Sequence, residues 1–329
     1  MLNYVIRRLI IGAFTLLMIT FVVYGLIRSM PGSPLTLDLA ESSPDKQISK
    51  EELERRKEIY GLNDPWPLAY FKWIRGCVLL DFGDSIHEKQ PVKDVLAPRI
   101  GPTLLLSVSS LSLSFMLAVP MGLYCTSRSG HADERTLSIG LYMMYSIPSF
   151  VAALLLLLAF YVKLDGTLFH LKPGMVSDNY ETLSSTAKLF DIFKQSILPV
   201  FCFTYGSLAY YSRFVKANME EVIRQDFIRT ARAKGVPPMK VLVKHAFRNT
   251  LIPFVTMLGL TLPGLLSGSV ILEEVFSWPG MGRLFFAAIT NRDYKVLMAE
   301  TLIYAVMTLA GQLLADLLYA FVDPRVTYS

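Results

Sequence analysis

The chain has 329 residues, 53% of them hydrophobic and 18% charged, with a formal net charge of +5. An average soluble domain is about 45–50% apolar and about 25% charged, so the composition leans away from a soluble protein and toward a membrane one. The three cysteines (Cys77, Cys125, Cys202) form no CxxC pair and the four histidines (His87, His131, His170, His245) no HExxH, which argues against a disulfide framework and against metal chemistry.

In chain order, uncharged runs of spanning length recur. A bilayer core of about 30 Å requires roughly 20 apolar residues as helix, and the first such run, Leu9–Ile27, follows Arg7 and Arg8. It exceeds the about 7–15 residues of a signal-peptide core and no A-x-A site follows, so it reads as a retained anchor. Residues 28–99 form the largest piece outside the spans. They open on a turn-rich SMPGSP and continue into a helix with Ser49 as N-cap, Glu52 three residues on and Gly61 as C-cap. Trp66, Tyr70, Phe71 and Trp73 then suit the membrane interface, where aromatic rings collect. This piece reads as a partly helical cap over the outer ends of the spans.

Four further runs are Ile100–Ser127, Leu137–Val162, Gln195–Ser212 and Asn249–Leu272, and Val296–Val322 qualifies apart from Glu300 and Asp316. Leu137–Val162 carries no charge on any face, whereas a soluble core helix keeps a polar face. Pro120, Pro148 and Pro263 fall inside spans and predict kinks. The expected fold is therefore an all-α polytopic membrane protein with six transmembrane helices.

Orientation follows the positive-inside rule. With Arg7 and Arg8 inside, segments 128–136 and 213–248 are also inside, and the second holds nine basic residues (Arg213, Lys216, Arg224, Arg229, Arg232, Lys234, Lys240, Lys244, Arg248) against three acids. The outer segment 28–99 is balanced at eleven basic and twelve acidic residues. Both termini are therefore expected to be cytoplasmic. The positive charge is a topology signal, and no nucleic-acid partner is expected.

Segment 213–248 is the most informative. Val215, Met219, Val222, Phe227 and Ala231 recur at helical intervals between charged residues, predicting one amphipathic helix. Gly235, Pro237 and Pro238 stop it and start the next. A charge at the centre of a spanning helix costs about 2.5–3.5 kcal/mol, so this segment projects into the cytoplasm, where it could lie on anionic lipid, pair with other loops, bind nucleic acid or dock on a partner. The helix breaks favour docking over lying flat.

The residues RTARAKG (229–235) and HAFRNTLIP (245–253) resemble the coupling loop of the inner-membrane permeases of bacterial ABC importers, in the peptide, oligopeptide and nickel branch. Arg-Thr-Ala stands here where the loop's name expects Glu-Ala-Ala, a departure shared by that branch. Further matches run along the chain: PGSP (31–34), YGLNDPWPLAYFKWI (60–74), FGDS (82–85), ILPVFCFTYGSLAYYSRFVKANM (197–219), EEVFSWPGMGRL (273–284), RDYKV (292–296) and DLLYAFVDPR (316–325). The resemblance implies a type I ABC importer permease, a B-type subunit of the bacterial inner membrane. Its implied partners are a second homologous permease, two ATPase subunits and an extracytoplasmic substrate-binding protein. The implied ATPase-coupling residues are Asp226, Arg229, Thr230, Ala231, Arg232, Lys234 and Gly235. Phe276, Trp278, Pro279, Gly280 and Gly282 fall in an outer loop with the role of gate or guide, or of interfacial anchor. Asp316, Tyr319 and Asp323 form a brace at the cytoplasmic end.

The chain contains no G-x-x-x-x-G-K-[ST] phosphate loop, so no cofactor is expected on it, with ATP and Mg held by the partner ATPases. A secondary transporter would need interrupted repeats in two halves. A membrane-embedded hydrolase would need a nucleophile with a base in reach, and the spans hold no histidine. Within the branch, peptides are the favoured substrate, with nickel and glutathione as alternatives.

Overall fold

The computed structural model describes residues 2–29, 54–55, 63–167 and 169–322. The expected caps at Ser49 and Gly61, the PGSP turn and Asp323 lie outside them. Among the described residues there is no β-strand, only an isolated bridge between Asp84 and Pro91.

Helix α1 (Leu2–Arg28) is followed by α2 (Trp66–Val78), α3 (Val92–Ser127), α4 (Ala132–Ser146) and α5 (Ser149–Leu157), the last running on as a π-helical turn to Lys163. Then come α6 (Ser185–Ile223), α7 (Asp226–Ala233), a helical turn Pro238–Lys240 that widens into a π-helix over Val241–Phe247, and α8 (Arg248–Ser267). Helices α9 (Val270–Val275), α10 (Met281–Thr290) and α11 (Tyr294–Val322) complete the order. Three of these, α1 over Ile6–Arg28, α3, and α11 over Tyr294–Leu314, are long and apolar enough to cross a membrane, and the pair α4 and α5 makes a fourth if it is one span. Leu9, Ile10, Phe14 and Leu26 of α1 stand exposed, a surface that suits lipid rather than water.

The kink expected at Pro148 is present and sharp, α4 and α5 meeting at 84°, while other expectations are corrected. Ile147 takes an extended conformation directly before Pro148, as clash with a following proline ring requires. Pro120, by contrast, sits inside an unbroken α3. The predicted span 249–272 ends early, at Ser267, because Gly268 turns the chain at φ +59 before α9 begins. The span 195–212 and the start of the amphipathic segment are one helix, α6, and the expected helix through Ala231 is two, broken at Arg224 and Gln225.

Helix α3 packs along α6 at short range. A side chain at Gly122 would come within 2.6 Å of Val215 and 2.8 Å of the Ser212 carbonyl, so glycine here sets the spacing of the two backbones. Phe115 stacks on Tyr211 with ring centroids 4.6 Å apart, and Met219, Ile228, Val241 and Ala246 continue the core into the basic segment. At the other end of the chain's long helices, α2 lies on α1. Its Tyr70 hydroxyl donates to the Leu17 carbonyl at 3.0 Å, and Trp66 meets Phe21 at 4.9 Å.

Candidate functional site

The basic segment is built around the break between α6 and α7. Gln225 is extended, and α7 restarts with Asp226 in its first turn and Arg232 in its last, an arrangement the helix dipole favours. The break changes the phase. Val215, Met219, Val222 and Ala231 are buried as expected, but Phe227 is 40% exposed, and Ile228 takes the inward place in its stead. With Ile228 and Ala231 facing the core, Asp226, Arg229, Thr230, Arg232 and Lys234 all face out. Arg229 reaches Asp226 at 3.4 Å with both side chains largely in solvent, and such a pair contributes little. Helix α7 therefore presents an open basic face.

Its end is a Schellman turn. The Val236 N–H donates to the Ala231 carbonyl at 3.2 Å and the Gly235 N–H to the Arg232 carbonyl at 2.9 Å. Gly235 has φ +77, and a Cβ placed on it would meet nothing within 4 Å. Conformation, not space, makes this position a glycine. Pro238 then opens the next helix at its first position, where its missing N–H costs nothing.

Two charged clusters tie this end of the structure together. Lys216 on α6 donates to Glu134 on α4 at 2.9 Å, as does Ser138 at 2.9 Å, and these bonds hold the Glu134 carboxyl below its usual range. The Tyr124 hydroxyl and the Arg128 guanidinium donate to Asp133 at 2.8 and 2.7 Å and pull its carboxyl down to about 2.

The predicted outer loop is a closed junction. Phe276 and Trp278 are fully or almost fully buried, and the Trp278 indole donates to the Pro102 carbonyl of α3 at 3.0 Å. Glu273, also fully buried, accepts from the Thr103 hydroxyl and from the Arg283 N–H, each at 3.0 Å. Thr103 in turn accepts the Met281 N–H at 2.7 Å, where Pro279 and Gly280 lead into α10. A Cβ at Gly280 would overlap the Glu273 carboxylate, and one at Gly282 would lie 2.8 Å from the Val270 nitrogen. The rings are sunk in protein, not laid at a membrane surface.

Sequence reasoning passed over the residues that organise this junction, Glu273 and Thr103. A carboxylate directly abutting a predicted span was the available signal for Glu273; nothing local marks Thr103. It likewise missed Asp293, which accepts from the Ser85 hydroxyl and from the His87 N–H and caps the start of α11 through the Val296 N–H. Two motifs noted separately, FGDS and RDYKV, meet there.

Of the brace residues, Asp316 on α11 pairs with Arg8 on α1 at 3.0 Å. The side chain of Tyr319 and all of Asp323 lie outside the described residues. Glu300 is fully buried in α11, and neither carboxylate oxygen has a hydrogen-bond partner among the described residues.

Residues 118–328 match the family described as binding-protein-dependent transport system inner membrane component, and residues 1–107 match its N-terminal part. The chain is 38% identical over 329 residues, all of both chains, to the oligopeptide transport system permease protein AppB of Bacillus subtilis (strain 168). It is 33% identical over 329 residues, again all of both, to the glutathione transport system permease protein GsiC of Escherichia coli (strain K12). Among solved structures, an inward-facing form of the MetNI methionine ABC transporter aligns with a TM-score of 0.53 at 19% identity, covering 70% of this chain and 96% of that chain, a likeness of fold.

Proposed function

Because the chain belongs to the family of inner-membrane components of binding-protein-dependent transport systems, a multi-pass membrane permease, we propose that it is the pore-forming subunit of an ATP-driven importer of peptides. The observation that carries the coupling part of this reading is the seating of α7: two apolar residues hold it on the core, and its basic face is left open. Six spans follow from reading α4 with α5 as one bent span and α6 and α8 as the fourth and fifth, which puts both termini and α7 on the cytoplasmic side.

In this reading the partners are a second related permease, two ATPase subunits that hold ATP and Mg, and an extracytoplasmic binding protein. The chain itself is a transport subunit with no cofactor of its own. An ATPase groove takes α7 through Arg229, Arg232 and Lys234. When the ATPases move, α7 pulls on α6 before it and, through the Schellman turn at Gly235 and the π-helix, on α8 after it, and these helices shift as bodies. The junction around Glu273 and Trp278 clamps α3 against α9 and α10 on the binding-protein side, as a fixed edge of the gate. The pair Arg8–Asp316 braces α1 on α11.

Glutathione, itself a small peptide, is the second substrate reading, supported by the full-length likeness to GsiC. The test of coupling is a cysteine at Arg232 crosslinked in the purified assembly. A product with the ATPase subunit is expected, and its absence from an intact assembly would refute docking through α7.

A further inference from the structure

Helices α3, α6 and α8 enclose an open cleft of about 510 Å³ whose wall differs in chemistry from the rest of the spans. Among the described residues no charged side chain lines it. Hydroxyls do, from Ser107, Ser110 and Ser114 on α3, Ser207 on α6, Thr261 on α8 and Ser269 just beyond it. The three on α3 recur at helical spacing along one face.

Three of these hydroxyls give their proton to their own helix, Ser207 to the Phe203 carbonyl at 3.4 Å among them, whereas Ser269 already accepts the Leu272 N–H at 3.3 Å. Ser110 donates its proton to the Ser107 carbonyl at 3.1 Å and Thr261 to the Leu258 carbonyl at 2.8 Å. A hydroxyl has one proton to give, so what remains on each of these three oxygens is its capacity to accept. Ser107 is 6% exposed and its Oγ has no hydrogen-bond partner among the described residues. Burying a hydroxyl unmet is unfavourable. The cleft is also kept wide. Gly206 and Gly264 lie on its wall, and a Cβ on either would meet no atom within 4 Å. Glycine inside a helix is unfavourable relative to larger residues, and here nothing in the packing requires it.

Resting on the permease reading above, we propose that this cleft is the chain's share of the solute path, that its hydroxyl oxygens accept hydrogen bonds from the main-chain N–H groups of an extended peptide, and that it does not select on side-chain charge. The first part follows from an acceptor-rich wall around open space. The second follows from the lack of any fixed charge to attract or repel a passing side chain.

The test uses the full assembly in vesicles with saturating binding protein, and measures uptake of Ala-Lys-Ala and Ala-Glu-Ala together with ATP hydrolysis. Each variant's uptake ratio is divided by that of the wild type, which removes the binding protein's own preference. Ser207→Lys is expected to lower Ala-Lys-Ala uptake relative to Ala-Glu-Ala by at least about tenfold, because like charges in a confined site repel strongly. Ser207→Asp is expected to shift the ratio the other way, and a residue with a purely structural role would move neither. Gly206→Phe is expected to cut uptake of both peptides by at least about tenfold while ATP hydrolysis still responds to binding protein. Unchanged ratios in both Ser207 variants, or free passage through Gly206→Phe, would overturn the cleft as the path and leave the permease reading standing. Wild-type vesicles that hold the ATPases yet take up neither peptide would instead overturn the peptide reading, and the cleft proposal with it.

Discussion

Helix α7 and the junction around Trp278 both rest on short motifs, yet the structure treats them in opposite ways. Helix α7 commits Ile228 and Ala231 to the core and leaves its charged residues in the open. The junction buries two aromatic rings and a carboxylate, and both oxygens of Glu273 accept a bond from a different element. Leaving a buried carboxylate unmet is costly, so the bonds on both oxygens of Glu273 hold the junction to one geometry. An exposed basic face has no such demand and remains available to a partner. A compact motif can thus be a joint or a surface, and burial distinguishes them.

Four measurements can break or sharpen that contrast. The largest effect belongs to the joint. Glu273→Ala strands the Thr103 hydroxyl and the Arg283 N–H and leaves a cavity beside Gly280, and is expected to cost about 3–5 kcal/mol, read as a fall in thermal unfolding temperature of the purified protein. A loss below about 1 kcal/mol would mean that the junction is looser than its hydrogen bonds imply.

Next is the turn that ends α7. At Gly235 the space is open but φ is +77, so Gly235→Val should cost about 1–2 kcal/mol locally. Expression should be normal and transport per ATP hydrolysed should fall, whereas Gly235→Asn, which tolerates this conformation, should recover most of it. Equal behaviour of the two variants would remove the conformational argument.

A smaller effect is expected at Asp133. Its carboxyl is held at about 2 by Tyr124 and Arg128, below the unfolded value of about 3.9. The pairing therefore favours the folded state at neutral pH, and this contribution is lost as pH falls from about 4 toward about 2. The difference in thermal stability between the wild type and Asp133→Asn should close over that interval; a difference that persists unchanged at the acid end would refute it.

The smallest change in stability belongs to the open face. Arg229→Ala combined with Arg232→Ala should alter unfolding by no more than about 0.5 kcal/mol yet reduce retention of ATPase subunits through purification. A large loss of stability would show that these side chains belong to a joint after all.

Much of the architecture was legible in the sequence. The spanning runs announced themselves because lipid demands about 20 apolar residues in succession, and Leu9–Ile27, Ile100–Ser127, Gln195–Ser212 and Val296–Val322 are each continuous helix in the structure. The stop at Gly235 and the restart at Pro238 were equally plain, since glycine and proline act on their own backbone. The break at Arg224 and Gln225 was not. No proline or glycine marks it, and the apolar spacing continues across it, so Phe227 was assigned to the face that Ile228 occupies. The bend at Pro148 was visible as a position but not as an angle of 84°, because the size of a bend depends on what the second helix packs against.

The deeper division is one of range. Hydropathy, capping and turn chemistry act over a few residues, and from them come the helices, their order and the basic segment between two of them. Glu273 meeting Thr103 across 170 positions, Asp293 meeting Ser85 across 208, and the hydroxyls of three helices gathered on one cleft have no local cause. Each depends on which helices lie side by side, and side-chain packing across the whole chain chooses that arrangement.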